Sequence, residues 1–176
     1  MRALSLTALL LSLLLVTSVM AAEQNVAKTS PCKYCGMDRN KLAHSRMLLT
    51  YEDGSEVETC SLHCIAVDLV NKDNINRVPV KIMVGDYNSK TMIDAEKAYW
   101  VLGGSKPGVM TNRAKWAFAD RSSAEVYVSA NGGTIITFEQ ALKAAYEDMY
   151  EDTRAIREKR KMMRLKTMEE KKEGAK

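Results

Sequence analysis

The stretch Pro31-Cys32-Lys33-Tyr34-Cys35-Gly36-Met37 places two thiols and a thioether within six residues. The other two cysteines and both histidines follow within about thirty positions, as His44 and the run Thr59-Cys60-Ser61-Leu62-His63-Cys64. A Cys-x-x-Cys pair has three common chemistries: a redox dithiol, half of a zinc site, or a soft-metal site. The second cluster adds weight to the metal readings. The 24 residues between Cys35 and Cys60 are enough for a hairpin that brings a loop back beside a helix start. Cys60, His63 and Cys64 would then sit at a helix N-terminus, where the dipole favours the deprotonated thiolate that a metal requires. Thiolates suit zinc, copper(I) and iron–sulfur clusters, while thioethers select for copper(I). Met37 beside the dithiol, and Met110 after the Gly108-containing loop, therefore favour copper(I), although a single methionine is more often core filler. With Leu62 as the centre of a buried helix stripe, His63 lies at its edge and Cys64 points nearly the opposite way. On that wheel, Cys60 is the better companion for Cys32 and Cys35. For His44, at the start of a strand, an exposed or capped ring is the default.

The context in which these residues work is set at the N-terminus. A basic Met1-Arg2, an apolar run from Ala3 to Val19 and small residues at Ala21 and Ala22 read as a secretory signal peptide spanning 1–22. A membrane anchor is the alternative. Four cysteines in an exported chain ordinarily mean two disulfides. No cysteine lies near Ala21 to carry a lipid. The composition, 46% hydrophobic and 27% charged, is globular. Charge is uneven: from Glu151 to Lys176 there are 10 Lys or Arg against 6 Asp or Glu. Such a tail suits an anionic membrane surface or an acidic partner, a solvated helix face being the blander reading. The body is not basic and lacks aromatic stacking runs, which excludes a nucleic-acid module. No Ser-His-Asp grouping, phosphate-cradling glycine loop or His-Glu-x-x-His is present, so hydrolase and nucleotide chemistry are excluded too.

Two small units must position these residues. Met47, Leu49 and Tyr51 alternate within Ser45–Tyr51 as a strand, Glu52-Asp53-Gly54 supplies a turn, and Ser55–Thr59 returns. Ser61 caps a short helix whose apolar residues Leu62, Ile65, Ala66, Leu69 and Val70 follow the helical period. Val78–Val84 resumes strand character, with Pro79 fitting an edge or first position. The same order recurs: an extended segment at Ala98–Leu102, a break at Gly103–Gly108, a strand at Lys115–Ala119, a helix between Ser122 and Asn131, and a strand at Thr134–Thr137. The helix assignment there rests on a capping-box spacing, Ser122 to Glu125, and an Asn-Gly-Gly stop, against the strand preference of Val126, Tyr127 and Val128. A second capping box, Thr137 to Gln140, opens a long helix that becomes almost wholly charged beyond Tyr150. The expected fold is thus α+β: two ββαβ units in tandem, 23–89 and 90–150, followed by a basic helical tail over 151–176.

Several of these stretches are similar to the NosL family, the exported accessory proteins of nitrous oxide reductase. They are Cys35-Gly36-Met37, Thr59-Cys60-Ser61, Ile93–Val101, Gly108-Val109-Met110, Phe118-Ala119 and Gly132–Phe138, covering about Cys32 to Ala145. The resemblance implies two similar ββαβ units, monomeric copper(I) binding, and delivery to the copper centre of a periplasmic client enzyme. It also implies that Met110 is a ligand and that the Cys-Gly-Met region supplies the thiolate side. The Cys60-Ser61-Leu62-His63-Cys64 cluster resembles the Cys-rich metal-sensing fingers called TRASH domains.

The leading expectation is a periplasmic, non-enzymatic copper(I) chaperone using Cys32, Cys35 and Met110, with Met37, Cys60, His63 and Cys64 as further candidates. One alternative is an interaction module in which Cys32, Cys35, Cys60 and either His63 or Cys64 hold a structural zinc ion. The other is a thiol–disulfide oxidoreductase using Cys32 and Cys35.

Overall fold

The computed structural model describes residues 31–173; the signal-peptide assignment to 1–22 lies outside the described residues. Strands β1 (Met47–Tyr51) and β2 (Glu56–Thr59) form an antiparallel hairpin. Helix α1 (Leu62–Leu69) follows, then β3 (Pro79–Gly85), which pairs with β1 on its other side. Along β1 the residues Met47, Leu49 and Tyr51 are buried and their neighbours only partly so, as a strand with one core face requires. Pro79 is the first residue of β3, where its missing N–H costs no ladder bond. The short strand β4 (Met92–Asp94) pairs with β3 and makes a four-stranded sheet of order β2-β1-β3-β4. Sequence periodicity did not place this strand in the first sheet, because three residues are too few to display a period.

The second unit repeats the order. Strands β5 (Tyr99–Leu102), β6 (Lys115–Phe118) and β7 (Thr134–Ile136) form an antiparallel sheet of order β6-β5-β7, with α2 (Arg121–Asn131) between β6 and β7. Capping prevails over β propensity in α2. The cap is Asp120, whose carboxylate accepts the Ser123 N–H at 2.8 Å, rather than Ser122. Val126 is left exposed on its outer face while Ala124 and Tyr127 are buried.

Helix α3 (Phe138–Glu173) opens with the reciprocal capping box expected from the sequence: Thr137 N–H donates to Gln140 Oε1, and Gln140 N–H to Thr137 Oγ1. Phe138, Ala141 and Ala145 on its first turns pack with Met47, Leu49, Tyr51, Ile65 and Trp100 in one core that spans both units. Burying each large apolar side chain there is worth about 1.5–3 kcal/mol. The α+β expectation of two small sheets and a long C-terminal helix therefore holds. Helix α1 is consequently covered twice, by the first sheet and by α3, and this double covering determines where its side chains point.

Candidate metal centre

The loop before β1 carries the first two cysteines and closes tightly on itself. Gly36 N–H donates to the Cys32 carbonyl at 2.8 Å, and Cys32 N–H to the Met37 carbonyl at 2.9 Å. Gly36 sits at φ +74 with open space around it, so glycine is needed for its backbone conformation rather than for room. Tyr34, between the two cysteines, donates its hydroxyl to Asp68 of α1, a carboxylate with no exposed surface. The same carboxylate accepts the Tyr51 hydroxyl and the Asn74 amide, and Lys33 Nζ lies 3.8 Å away. The dithiol loop is thereby tied to helix and sheet.

Cys60 begins the two-residue β2–α1 connection, and its carbonyl accepts the Ser45 hydroxyl at 2.9 Å. Cys64 lies on the first turn of α1. The Sγ atoms of Cys32, Cys35, Cys60 and Cys64 all lie within 4.8 Å of one another. Cys35 and Cys60 are separated by 3.3 Å and Cys60 and Cys64 by 3.7 Å. Ligands about 2.3 Å from a tetrahedral ion sit about 3.8 Å apart, so the four sulfurs are spaced to take one soft ion. All four thiols are free, so the two disulfides ordinarily expected of an exported chain are not formed. Cys32, Cys60 and Cys64 are buried, and Cys35 is half-buried.

Mutual hydrogen bonding separates the four thiols. Cys32 is held well below the ordinary thiol range by contacts from Cys35, then Cys60 and Cys64. Cys35 is pushed up by Cys32, but Cys60, Cys64 and the Met37 backbone N–H bring it down to about 7. Cys60 and Cys64 are both raised, first by Cys32, then by Cys35 and burial; Cys60 further raises Cys64, while Cys64 partly lowers Cys60. The expected lowering of these two by the helix start is outweighed by their hydrogen bonding to Cys32 and Cys35.

Two sequence-level expectations about orientation change. The helical wheel turned Cys64 away because it assumed one buried face; with α3 covering the opposite side of α1, Cys64 is buried in the sulfur cluster. His63 instead faces α3, its Nδ1 3.5 Å from Asp152 Oδ2, with both side chains buried. Those two atoms have no hydrogen-bond partner among the described residues. Burial lowers the His63 pKa, and Asp152 partly offsets it.

Met110 packs against the cysteine cluster from the second unit. It holds φ +61, rare for a residue with a side chain, a conformation that costs of order 1–3 kcal/mol and persists only where the surroundings enforce it. They do so on both sides. At Gly108 a Cβ would meet Thr111 at 2.7 Å and Ala114 Cα at 2.9 Å. Beyond Met110, Asn112 N–H donates to Asp152, and Arg113 and Lys115 both pair with Asp148 of α3. Met37, by contrast, is 40% exposed and is not among the residues packed on the cluster. His44 packs edge-on to Tyr87 and at a tilt against Trp116, and it is not in the sulfur cluster.

A cleft of ≈ 170 Å³ opens onto Cys35, Cys64 and Met110, with His63 also on its lining and Ile156, Arg157 and Arg160 of α3 on its wall. The sulfur site is therefore open on one side. Sequence reading missed Asp68 and Asp152. Asp68 is the one charged residue in an otherwise apolar eight-residue helix apart from His63, a signal that was available. Asp152 stands among many charges and gave none.

Residues 23–146 match the family model described as NosL. No curated protein matches the chain. Among solved structures, the copper chaperone NosL from Shewanella denitrificans is similar over 66% of this chain and 92% of its own, with 21% identity and a TM-score of 0.52. At that identity the likeness speaks for the fold alone.

Proposed function

The chain belongs to the NosL family, and on that premise we propose that it is a copper(I) chaperone. Its cargo is held by thiolates of the Cys32, Cys35, Cys60 and Cys64 cluster, with the Met110 thioether at the open edge. Export through the 1–22 leader, action as a monomer, and delivery to a periplasmic copper enzyme of the nitrous oxide reductase type complete the reading. The observation that carries it is the cleft onto Cys35, Cys64 and Met110. A resident structural ion is best enclosed, whereas cargo must meet an incoming ligand. Soft sulfur donors of two kinds select copper(I), and the copper chaperone of the same fold supports the assignment. His63 and Met37 stand outside this ligand set.

The test is titration of the reduced chain with copper(I) against a chromogenic chelator, without oxygen. We expect tight binding, weakened at least about tenfold, or about 1.4 kcal/mol, by Cys35→Ser and by Met110→Ala. Absence of binding, or affinities in both variants equal to the parent's, refutes the proposal.

The closeness of the four sulfurs, all within 4.8 Å of one another, favours a second reading, a structural zinc ion held by the same cysteines. Elemental analysis separates the two: stoichiometric zinc that copper(I) fails to displace supports the zinc site.

A further inference from the structure

Beyond Ile156, every residue of α3 whose exposure is described is exposed, and this stretch lies past the end of the family match at residue 146. It nevertheless borders the site. Ile156, Arg157 and Arg160 form the wall of the cleft above Cys35, Cys64 and Met110. Arg157, Arg160, Lys161 and Arg164 stand at i, i+3, i+4 and i+7, and so share one helix face continuous with that wall. None of the four makes an ion pair among the described residues, although Arg154, one turn earlier, pairs with Glu151.

We propose that this segment, Ile156 to Arg164, is a docking element that receives an acidic protein surface at the mouth of the metal site. The inference rests on the copper-chaperone reading and adds the chemistry of the partner. A soft ion passes between proteins by ligand exchange, so the partner's own sulfur donors must enter the cleft past Arg157 and Arg160. Two cations at that entrance and two more along the same helix face, none ion-paired among the described residues, favour carboxylates on whatever approaches, and complementary charge raises the encounter rate while rejecting basic surfaces. A membrane fits less well. The exposed apolar residues of the segment and of the turn after it, Met162, Met163, Leu165 and Met168, do not form one stripe, since Met163 and Leu165 are about 200° apart on the helix. A helix lying in a bilayer surface needs such a stripe.

The probes are two short peptides with the same Cys-x-x-Cys core, one flanked by glutamates and one by lysines. Rates of copper(I) transfer from the loaded full-length chain are measured by stopped flow, and peptide binding to the metal-free chain by fluorescence anisotropy. At low salt the glutamate peptide is expected to receive copper about tenfold faster than the lysine peptide and to bind more tightly. The difference should collapse at high salt and in the triple variant Arg157→Gln, Arg160→Gln, Arg164→Gln, whose circular dichroism stays that of the parent; the anisotropy on the metal-free chain reads docking apart from any change in copper(I) affinity. Equal transfer rates, or a preference that survives the triple variant, overturns the proposal. So does binding to phosphatidylserine vesicles that the variant abolishes while the peptides go undiscriminated. If the chain takes up no copper(I), the chaperone reading fails, and the anisotropy comparison still decides whether the acidic peptide docks.

Discussion

Protons and a metal ion compete for the same sulfur lone pairs, and the four thiols enter that competition unequally. Cys60 and Cys64, raised above the ordinary thiol value, carry protons at neutral pH; Cys32 does not, and Cys35 titrates at about 7. Uptake of one ion by all four sulfurs at pH 8 should therefore release about two protons. Affinity should rise about a hundredfold per pH unit above pH 7 and more steeply below it, where Cys35 is protonated too. A pH series of metal titrations with a proton-sensitive dye checks both the count and the slope; release of no protons would mean that the raised thiols do not ligate. The Tyr34–Asp68 contact is a second residue-scale lever. Tyr34→Phe removes one hydrogen bond and should cost about 1 kcal/mol. Asp68→Ala, which strands the Tyr34 and Tyr51 hydroxyls and the Asn74 amide, should cost about 3 kcal/mol or more. Urea denaturation measures both, and metal affinity should fall in step with freedom of the Cys32–Cys35 loop.

Among the elements, α3 governs the site without supplying a ligand. Its Asp148 holds Arg113 and Lys115 at the end of the Met110 loop, Arg113 at 2.8 Å and Lys115 at 2.7 Å, with the Lys115 side chain only 3% exposed. Burial alone would raise the Asp148 pKa, but its two cationic partners bring it below the ordinary carboxylate value. The sign follows: a carboxylate with a depressed folded pKa stabilises above its unfolded value of about 3.9, and that contribution is lost as pH falls through the folded value. Asp148→Asn should cost about 3 kcal/mol at pH 7, because it takes from the buried Lys115 ammonium the carboxylate it is paired with and leaves only the more distant Asp152. The difference from the parent should shrink towards pH 2, as urea denaturation at the two pH values would show. Helix α2 shows how an element can be decided locally. The Asp120 cap and the Asn131-Gly132-Gly133 stop prevail over a Val-Tyr-Val centre, because nothing pairs with that segment as a strand.

At the scale of the whole molecule, the two ββαβ units and the first five turns of α3 form one body, and the rest of α3 projects from it. Ending the chain after Arg160 should shift the Tm by no more than about 3 °C, since no residue described beyond Ile156 is buried. Ending it after Glu147 removes Asp148 and Asp152 and leaves Lys115 buried without its carboxylates, and should lower the Tm by about 10 °C or more. Thermal melts of the two truncations make the comparison. By itself the sequence determined the strands of both units other than β4, the capping box of α3 and the thiol-rich character of the cluster. Each of these is written in neighbouring residues, through alternation, helical period, capping chemistry or ligand softness. The tertiary structure decided the rest. That Cys64 joins the sulfurs while His63 turns to Asp152 depends on α3 covering the second face of α1, a contact between residues some ninety positions apart in the chain. Local periodicity carries no information about which two faces of a short helix will be covered. Only the packing of the long helix against it fixes the side to which each ligand points.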